Sequence, residues 1–456
     1  MKTLSGIVRV GANTPTRDHF RDRIFDRSFR YPLRSFAVRL SLGLLGLVAA
    51  TVSAISAEFP PPDKLPAKPG LPDPTVMFDG SKVTTKEEWE AKRKPELKVL
   101  FEHYMYGRYP AKPEKVTGKV LFEDSKAFGG KGTLREVEIT FGPPEWPKIY
   151  LLVAVPNGKT PAACFVGPNF DGNHTLTDDT RVHIPTVWVY SNSPGVKDNK
   201  ASAAGRGQQA DTWPLAEIVG RGYAVATFYS GDIQPDRPHV REGMRATLPE
   251  QKGSPPGDET ATIMWWAWGI HRAVDFLVTD PSIDPRRLAV VGHSRLGKTA
   301  LLAGAFDERL AVVIPNQAGC GGSGPSRHAD PKAEPVDRIN TAFPHWFCGH
   351  FKAFGKATEK LPFDQNDLVA LCAPRPVLFT NAAEDLWANP SGQFEVLKAA
   401  NPAYKLFGVD GITAEKMPDV NHLVDSRLGY WIRPGKHAMS PPDWKTYMDF
   451  TDKWMK

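Results

Sequence analysis

A short apolar run followed by a polar turn in the middle of the chain holds the residues best suited to catalysis. Residues 288–305 read LAVVGHSRLGKTALLAGA, which predicts a buried strand, a tight turn at Gly292 and a helix. A serine on a sharp strand-to-helix turn is typical of hydrolases, because the turn exposes its hydroxyl for nucleophilic attack. We therefore interpret Ser294 as a candidate nucleophile, although the second glycine of the usual GxSxG pattern comes one position late, at Gly297.

The same segment also satisfies GxxxxGK[ST], the pattern of a phosphate-binding loop, over residues 292–299. Such a loop normally needs a later strand that ends in Asp and holds Mg²⁺. The strands that follow run instead into residues 315–317 and 381–383, which are PNQ and NAA. Nucleotide binding is therefore the weaker alternative. A GxGxxG stretch at 319–324 lacks a clear helix after it, and we interpret it as a flexible turn.

A serine nucleophile needs an imidazole to accept its proton and a carboxylate to orient that imidazole. In strand-turn-helix hydrolases the acid and then the histidine follow the serine along the chain. His437 lies in a loop framed by Pro and Gly near the C-terminus, and Glu384 and Asp385 follow a late apolar strand. We predict that Ser294, Asp385 and His437 act together, with Glu384 as the alternative acid.

The elements that must position these residues alternate between strands and helices. Strand-like runs cover 134–141, 149–155, 162–166, 223–229, 288–291, 310–314 and 377–380, and helix patterns cover 260–277 and 296–305. This alternation predicts an α/β fold with a parallel or mixed sheet covered by helices on both faces. Catalytic groups in such folds lie at the carboxyl ends of strands. We expect the loops at 170–215 and 230–258 to form the walls of an active site.

The N-terminal region has two further parts. Residues 40–57 are uncharged and follow a basic flank, which predicts a signal peptide with cleavage after Ala54 or Ala57 and a secreted or periplasmic protein. The run is nearly long enough for a membrane anchor, which needs ~20 residues, but its Ser, Thr and Gly content weakens that alternative. We predict a leader over 1–57, a Pro-rich arm and helix over 58–110 that pack on the main domain, and a catalytic domain over 111–456.

Charge and cysteine content exclude several classes of partner. The formal net charge of +6 lies entirely in the leader, since the rest of the chain has 48 basic and 48 acidic residues. A polyanion such as nucleic acid is therefore not the expected partner. The four cysteines show no CxxC spacing and the histidines no HExxH motif, so we predict no metal and no other cofactor. The pairing of the cysteines is left open, and we expect a monomer without membrane contact after cleavage.

With these residues in place, the segment from about 89 to 444 resembles the bacterial glucuronoyl esterases of the fifteenth carbohydrate esterase family. The family signature GxSRxGK stands at 292–298, and supporting stretches are YGRYP (106–110), NFDGNH (169–174), INTAFPHWF (339–347), EDLWANP (384–390) and GKHAM (435–439). The resemblance implies an α/β-hydrolase fold, a three-layer sandwich without metal. It also implies cleavage of esters between (4-O-methyl-)glucuronic acid groups of xylan and lignin alcohols, with glucuronoxylan and lignin–carbohydrate esters as substrate partners.

The resemblance further implies roles for individual residues. Ser294 matches the nucleophile and His437 the base. Arg295 matches the residue whose backbone N–H and guanidinium serve the oxyanion. Three more positions match residues that line the sugar pocket: Lys298, Glu334 and Trp387. A flat aromatic ring against a pyranose and a carboxylate that accepts hydroxyl protons make physical sense in such a pocket.

This chain departs from the family pattern at two positions. Many members carry the triad acid in a stretch like PxESGxGG, but residues 315–322 read PNQAGCGG here, and Gln317 cannot carry charge. Some bacterial members instead have an Asp two residues before the Trp of a later loop, which points to Asp385. The second departure is His293, where fungal members carry a half-cystine, so we expect no disulfide there. An acetylxylan or feruloyl esterase is the alternative within the same class of enzyme.

Overall fold

The computed structural model describes residues 59–158, 160–247, 257–328 and 330–455. The predicted leader and both candidate cleavage positions lie outside these residues. The described residues from Phe59 onward form one compact unit. None of the helices in the described ranges is long and apolar enough to cross a membrane.

One mixed sheet organises the described part of the chain. Its strands are β1 (Thr117–Lys126), β2 (Gly132–Thr140), β3 (Ile149–Pro156), β4 (Ala162–Asn169), β5 (Ala224–Tyr229), β6 (Ile283–His293), β7 (Leu310–Asn316), β8 (Val377–Ala382) and β9 (Leu428–Arg433). They lie in the order β1-β2-β3-β5-β4-β6-β7-β8-β9. Strands β1, β2, β3 and β5 pair antiparallel, and all pairs from β5 to β9 are parallel. The carboxyl ends of β4 to β9 therefore share one edge.

Helices cover both faces of this sheet. They are α1 (Lys86–Glu88), α2 (Lys94–Phe101), α3 (Ala127–Gly130), α4 (Leu215–Arg221), α5 (Thr262–Leu277), α6 (Arg295–Phe306), α7 (Val336–Ala342), α8 (Gln365–Ala370), α9 (Pro390–Leu406) and α10 (Pro441–Trp454). One core layer contains α4 and α10, and the other contains α2, α5, α6, α8 and α9. Neighbouring strand residues divide between the layers, as Phe165 does from Cys164 and Val166, because successive side chains point to opposite faces. This three-layer arrangement confirms the predicted α/β-hydrolase fold class.

The N-terminal arm and helix pack onto this framework. Thr85 caps the helix by accepting a hydrogen bond from the N–H of Glu88 at 3.2 Å. A π-helical turn, Trp89–Arg93, precedes Pro95. Proline has no N–H to donate, and the wider turn accommodates it so that the helix continues. Tyr104 on the same helix donates its hydroxyl to the carbonyl of Pro60 at 2.6 Å, which ties the arm down.

The sequence patterns did not predict two of the strands and two of the long helices. β1 is an edge strand that is exposed along most of its length, so its apolar residues do not alternate with polar ones. β9 is only six residues long and contains a glycine, although every residue in it is buried. Helices α9 and α10 each begin at a proline, just after the loops that contain Asp385 and His437, where the sequence is typical of turns.

Candidate active site

Ser294 stands alone between the last residue of β6 and the first residue of α6. Its backbone has φ 56° and ψ −126°, a conformation that a residue with a side chain rarely adopts. The Ser294 N–H donates to the carbonyl of Asn316 at 2.9 Å, which fixes the turn against the end of β7. The sharp turn presents the hydroxyl at the carboxyl edge of the sheet.

The glycines on either side make this turn possible. A Cβ on Gly292 would lie 2.1 Å from the carbonyl oxygen of Leu296, and one on Gly297 would lie 2.8 Å from that of Asn316. Gly297 therefore serves close packing of α6 against β7, which explains why the second glycine of the motif comes late. Because a single residue separates strand from helix, no loop remains to encircle a phosphate, and the nucleotide-binding alternative is wrong.

His437 and Asp385 form the pair that the sequence predicted. His437 Nδ1 lies 2.6 Å from Asp385 Oδ2, and the carboxylate is buried. The imidazole ring centroid lies 4.4 Å from that of His293, the residue before Ser294. Glu384 is exposed, so the structure brings Asp385 rather than Glu384 to the histidine. With Nδ1 occupied by the carboxylate, Nε2 is the nitrogen left to face a serine hydroxyl.

Two side chains from outside the loop hold the backbone around His437. The Arg433 guanidinium donates to the carbonyl of Ala438 at 2.8 Å and pairs with the buried carboxylate of Asp443 at 3.0 Å. Gln317 donates to the same carbonyl at 2.7 Å and accepts from the Ala438 N–H at 3.0 Å. From the sequence alone, Gln317 is notable only as a residue that cannot be the acid. Its amide occupies both polar backbone groups next to the histidine.

His293 occupies the position of the fungal half-cystine. Its Nδ1 lies 2.5 Å from Asn316 Oδ1. Burial lowers the pKa of His293 well below its usual range, and the neighbouring His437 lowers it further. The ring is therefore a neutral packing group beside the ring of His437. The four cysteines are all described, and each is buried and unpaired: Cys164, Cys320, Cys348 and Cys372.

Arg295 is clamped by charge and by aromatic rings. Its Nε lies 2.5 Å from Asp236 Oδ2. Its guanidinium carbon lies 4.6 Å from the ring centroid of Phe170, 5.1 Å from that of Tyr190 and 5.9 Å from that of Trp346. As the first residue of α6, Arg295 also has a backbone N–H without a partner inside the helix. Both donors are thus held at the turn that carries Ser294.

Asp236 is itself held by two further donors. Its Oδ1 lies 2.8 Å from Nε2 of His345 and accepts a hydrogen bond from Nε1 of Trp346 at 2.6 Å. Burial raises the pKa of Asp236, but the hydrogen bond from His345 and the charge of Arg295 outweigh it, so the pKa lies below its usual range. The carboxylate therefore stays charged and keeps the guanidinium in one orientation.

Lys298 lies one turn along α6 and is buried. Its ammonium donates to the carbonyls of Ala318 at 2.5 Å and Cys320 at 2.6 Å, so the glycine-rich turn after β7 is held by this lysine. Burial lowers the pKa of Lys298, while the charge of Glu334 opposes the change. An ammonium has three N–H donors, so one is left after these two hydrogen bonds, and the nearby acidic group is the Glu334 carboxylate.

Glu334 and Trp387 come from two separate loops that meet here. The Glu334 N–H donates to the carbonyl of Trp387 at 3.0 Å. The Glu334 side chain is buried, and burial raises its pKa, with the charge of Lys298 opposing the rise. Trp387 faces solvent, since it is 48% exposed. A half-exposed indole beside a buried carboxylate and ammonium is a surface suited to a sugar ring.

The loop after β4 forms one wall of the site, as the sequence predicted. Buried Glu136 accepts from the side chain of Asn173 at 3.1 Å and from the N–H of His183 at 2.8 Å, which pins this loop to β2.

Within the described ranges, no group of three or more His, Cys, Asp or Glu side chains is arranged to hold a metal ion.

Several site residues were not singled out from the sequence. Asp236 and Tyr190 fall within the loops expected to form walls, and Phe170 and Trp346 fall within stretches that carried the family resemblance. No sequence pattern pointed to Arg433, because a single arginine at the end of a strand that was not predicted resembles an ordinary surface charge.

Comparison with known proteins gives the same picture. A family model described as "Glucuronyl esterase, fungi" matches residues 255–408. The chain is 44% identical over 398 residues to "Carbohydrate esterase MZ0003" from an unknown prokaryotic organism, covering 84% of this chain and 89% of that protein. It is 28% identical to "4-O-methyl-glucuronoyl methylesterase 1" of Wolfiporia cocos, covering 74% of this chain and 72% of that protein.

Solved structures agree in fold and in family. A promiscuous esterase of carbohydrate esterase family 15 from a marine bacterial metagenome has 42% identity and a TM-score of 0.79, covering 86% of this chain and 99% of that chain. The glucuronoyl esterase from Solibacter usitatus has 35% identity and a TM-score of 0.79, covering 86% and 100%. The chain therefore belongs to carbohydrate esterase family 15, the family of the glucuronoyl esterases.

Proposed function

We propose that this protein is a serine hydrolase that cleaves esters between (4-O-methyl-)glucuronic acid groups of xylan and lignin alcohols. The observation that carries this proposal is the hydrogen-bonded pair of His437 and Asp385 beside the strained turn of Ser294. The names of relatives such as the Wolfiporia cocos methylesterase support the choice of ester.

In the first half of the reaction, the Ser294 hydroxyl attacks the ester carbonyl while His437 Nε2 takes its proton. Asp385 holds the imidazole through Nδ1 and stabilises the cation that forms. The negative oxygen of the tetrahedral intermediate accepts from the backbone N–H and the guanidinium of Arg295, and one such donor is typically worth ~3–4 kcal/mol. Collapse breaks the ester bond, and His437 returns the proton to the leaving alcohol.

In the second half, water replaces the alcohol. His437 takes a proton from the water, whose oxygen attacks the acyl carbon attached to Ser294. A second tetrahedral intermediate uses the same donors of Arg295. Its collapse releases the uronic acid and returns the proton to the Ser294 oxygen, which restores the starting enzyme.

The acyl part of the substrate fits the group formed by Lys298, Glu334 and Trp387. The lysine donates to sugar hydroxyls, the carboxylate accepts from them, and the indole packs against the ring. The ester is neutral, so Lys298 need not pair with a substrate carboxylate before cleavage. These hydrogen bonds position the carbonyl over the serine.

A turnover assay on methyl and benzyl glucuronate, run beside acetyl and feruloyl esters, tests the proposed function. We expect hydrolysis of the glucuronate esters, loss of it in Ser294→Ala, and wild-type activity in the matched exposed-serine variant Ser81→Ala. Preferential hydrolysis of the acetyl or feruloyl ester would contradict the proposed substrate. Full activity of Ser294→Ala would contradict the mechanism.

We also propose that the protein is exported and acts as a monomer. The support is the basic, then apolar, N-terminal sequence, which resembles a signal peptide. Fractionation of expressing cells, with N-terminal sequencing of the exported protein, should give a new terminus just after Ala54 or Ala57. Retention of the intact chain in the membrane fraction would contradict export. Size-exclusion chromatography of the exported protein tests the monomer.

A further inference from the structure

A cleft of about 800 Å³ lies beside the catalytic site and takes no part in the proposed mechanism. Residues from the start of β3, the end of β5 and the two wall loops line it. Its size is within the range of cavities that enclose small organic ligands.

The sheet order places this cleft on one particular side of the serine. Because β3 runs antiparallel to β5, the start of β3 and the end of β5 share the edge at which Ser294 follows β6. Two to three strand spacings of about 4.8 Å separate β6 from β5 and β3, or about 10–15 Å. Gln317 and Trp387 follow β7 and β8, on the other side of β6. Trp387, which is proposed to bind the acyl part of the ester, and the cleft thus lie on opposite sides of Ser294.

A continuous aromatic surface joins the cleft to the reacting groups. Trp188 lines the cleft, and its ring centroid lies 4.7 Å from that of Tyr190. Tyr190 in turn lies 5.1 Å from the guanidinium carbon of Arg295. A group that leaves the ester oxygen on this side therefore passes along aromatic rings before it reaches the cleft.

The walls of the cleft combine flat rings with acids. Trp146 and Trp188 supply two half-buried indoles, and Tyr150 stacks on His183 with centroids 3.7 Å apart and an interplanar angle of 12°. Burial lowers the pKa of His183, so this stack presents a neutral surface. Flat neutral rings of this kind bind other planar rings by offset stacking.

Acidic side chains in the cleft are hydrogen-bonding groups for hydroxyls, and Lys148, which also lines the cleft, is paired with Glu138 at 3.1 Å. Glu145 and Glu242 lie at the cleft, and Asp232 is only 7% exposed. The hydrogen bond that Asp232 accepts, from the Tyr150 N–H, is long at 3.5 Å. Burial raises the pKa of Asp232 well above its usual range, which favours the protonated carboxyl, a group that donates to an ether or methoxyl oxygen.

From these observations we propose that the cleft is a binding site for the alcohol part of the ester, and that its ligand is a phenolic alcohol with at least two linked aromatic rings. This inference rests on the proposed function, because it assigns the two sides of the serine to the two halves of one ester. Because the strands that border the cleft lie about 10–15 Å from β6, a single ring on the ester oxygen is too short to span this distance, whereas two linked rings are long enough.

Calorimetry with the free alcohol tests the site independently of catalysis. The probe is a two-ring aryl glycerol ether, titrated into the wild type, Trp146→Ala and Thr186→Trp. Thr186 is exposed on the rim of the cleft, so a larger side chain there fills the cleft without disturbing the core. We expect binding to the wild type and at least tenfold weaker binding to both variants. The matched control is Trp454→Ala, which removes a half-buried indole outside the cleft.

Kinetics then tests whether the site serves the reaction. We expect kcat/KM for the glucuronate ester of the two-ring alcohol, divided by that of the methyl ester, to fall about tenfold in Trp146→Ala and not in Trp454→Ala. An unchanged ratio, or absence of binding by the wild type, would overturn the inference. Failure of the wild type to hydrolyse even the methyl ester would refute the proposed function instead, and the calorimetry would still decide whether the cleft binds the alcohol.

Discussion

Gln317 occupies both backbone polar groups of Ala438, the residue that follows His437. Its Nε2 donates to the carbonyl at 2.7 Å and its Oε1 accepts from the N–H at 3.0 Å. An amide makes both bonds, whereas a carboxylate only accepts. The position that holds an acid in many family members thus serves here to position the histidine loop, and the carboxylate next to His437 comes from Asp385.

Replacing Gln317 should therefore slow turnover more than it weakens binding. Each of its two hydrogen bonds contributes about 1 kcal/mol, so we expect Gln317→Ala to lower kcat by up to about thirtyfold with little change in KM. Steady-state kinetics on methyl glucuronate measures both constants. Gln208→Ala, which removes an exposed glutamine elsewhere, is the matched control. A rise in KM at unchanged kcat would show that Gln317 does not position the histidine.

Asp385→Asn should reduce kcat far more than Glu384→Gln. The asparagine amide donates to Nδ1 and so favours the tautomer in which Nε2 carries the proton, which blocks its role as a base. In a serine protease the same change costs roughly 10⁴ in kcat. Glu384 is exposed and one position away, so its amide variant is a close control. The acid assignment is incorrect if the Glu384 variant is the impaired one.

The pH dependence of KM should report on Glu334. Burial raises the pKa of this carboxyl above 4.5. As the pH falls through the raised pKa, the carboxylate becomes protonated and accepts sugar hydroxyls less well, so KM for glucuronate esters rises. In Glu334→Gln we expect a KM about tenfold higher at neutral pH, since a hydrogen bond to a charged group contributes about 1.5 kcal/mol, and no such rise on acidification.

The matched control for this experiment is Glu395→Gln, since Glu395 has an exposed side chain on α9. KM is the constant to compare among the three proteins, because Glu334 is proposed to act on substrate binding. A KM of Glu334→Gln that rises on acidification as the wild type does would show that another group titrates.

The ion pair between Arg295 and Asp236 should raise kcat, because it fixes the orientation of the guanidinium. Asp236→Asn leaves the cation without its buried counter-charge, and Arg295→Lys loses the planar contacts with three aromatic rings. We expect each change to lower kcat by at least tenfold and the double variant to be little worse than either. Fully additive losses in this double-mutant cycle would mean that the two residues act independently.

Much of the fold and the candidate residues Ser294, Asp385 and His437 could be predicted from local patterns and chain order, whereas the family resemblance supplied the predicted roles of Arg295, Lys298, Glu334 and Trp387. The central strands are apolar runs of strand length, and the turn at Ser294 is specified by glycines whose spacing is visible in the sequence. β1 was missed because an exposed edge strand has no buried face to impose alternation. The residues around Arg295 were missed because they come from three different loops, and no spacing in the sequence relates them.

The sequence by itself determined the strand-turn-helix unit, the order of serine, acid and histidine, and the family signature, because each depends on neighbouring residues or on chain order. Only the tertiary structure brought Asp385 rather than Glu384 to His437, placed Gln317 against the histidine loop and held Arg295 between Asp236 and aromatic rings. Those outcomes depend on which strands lie side by side and how their loops return across the edge of the sheet. Long-range packing sets both, and no local pattern encodes them.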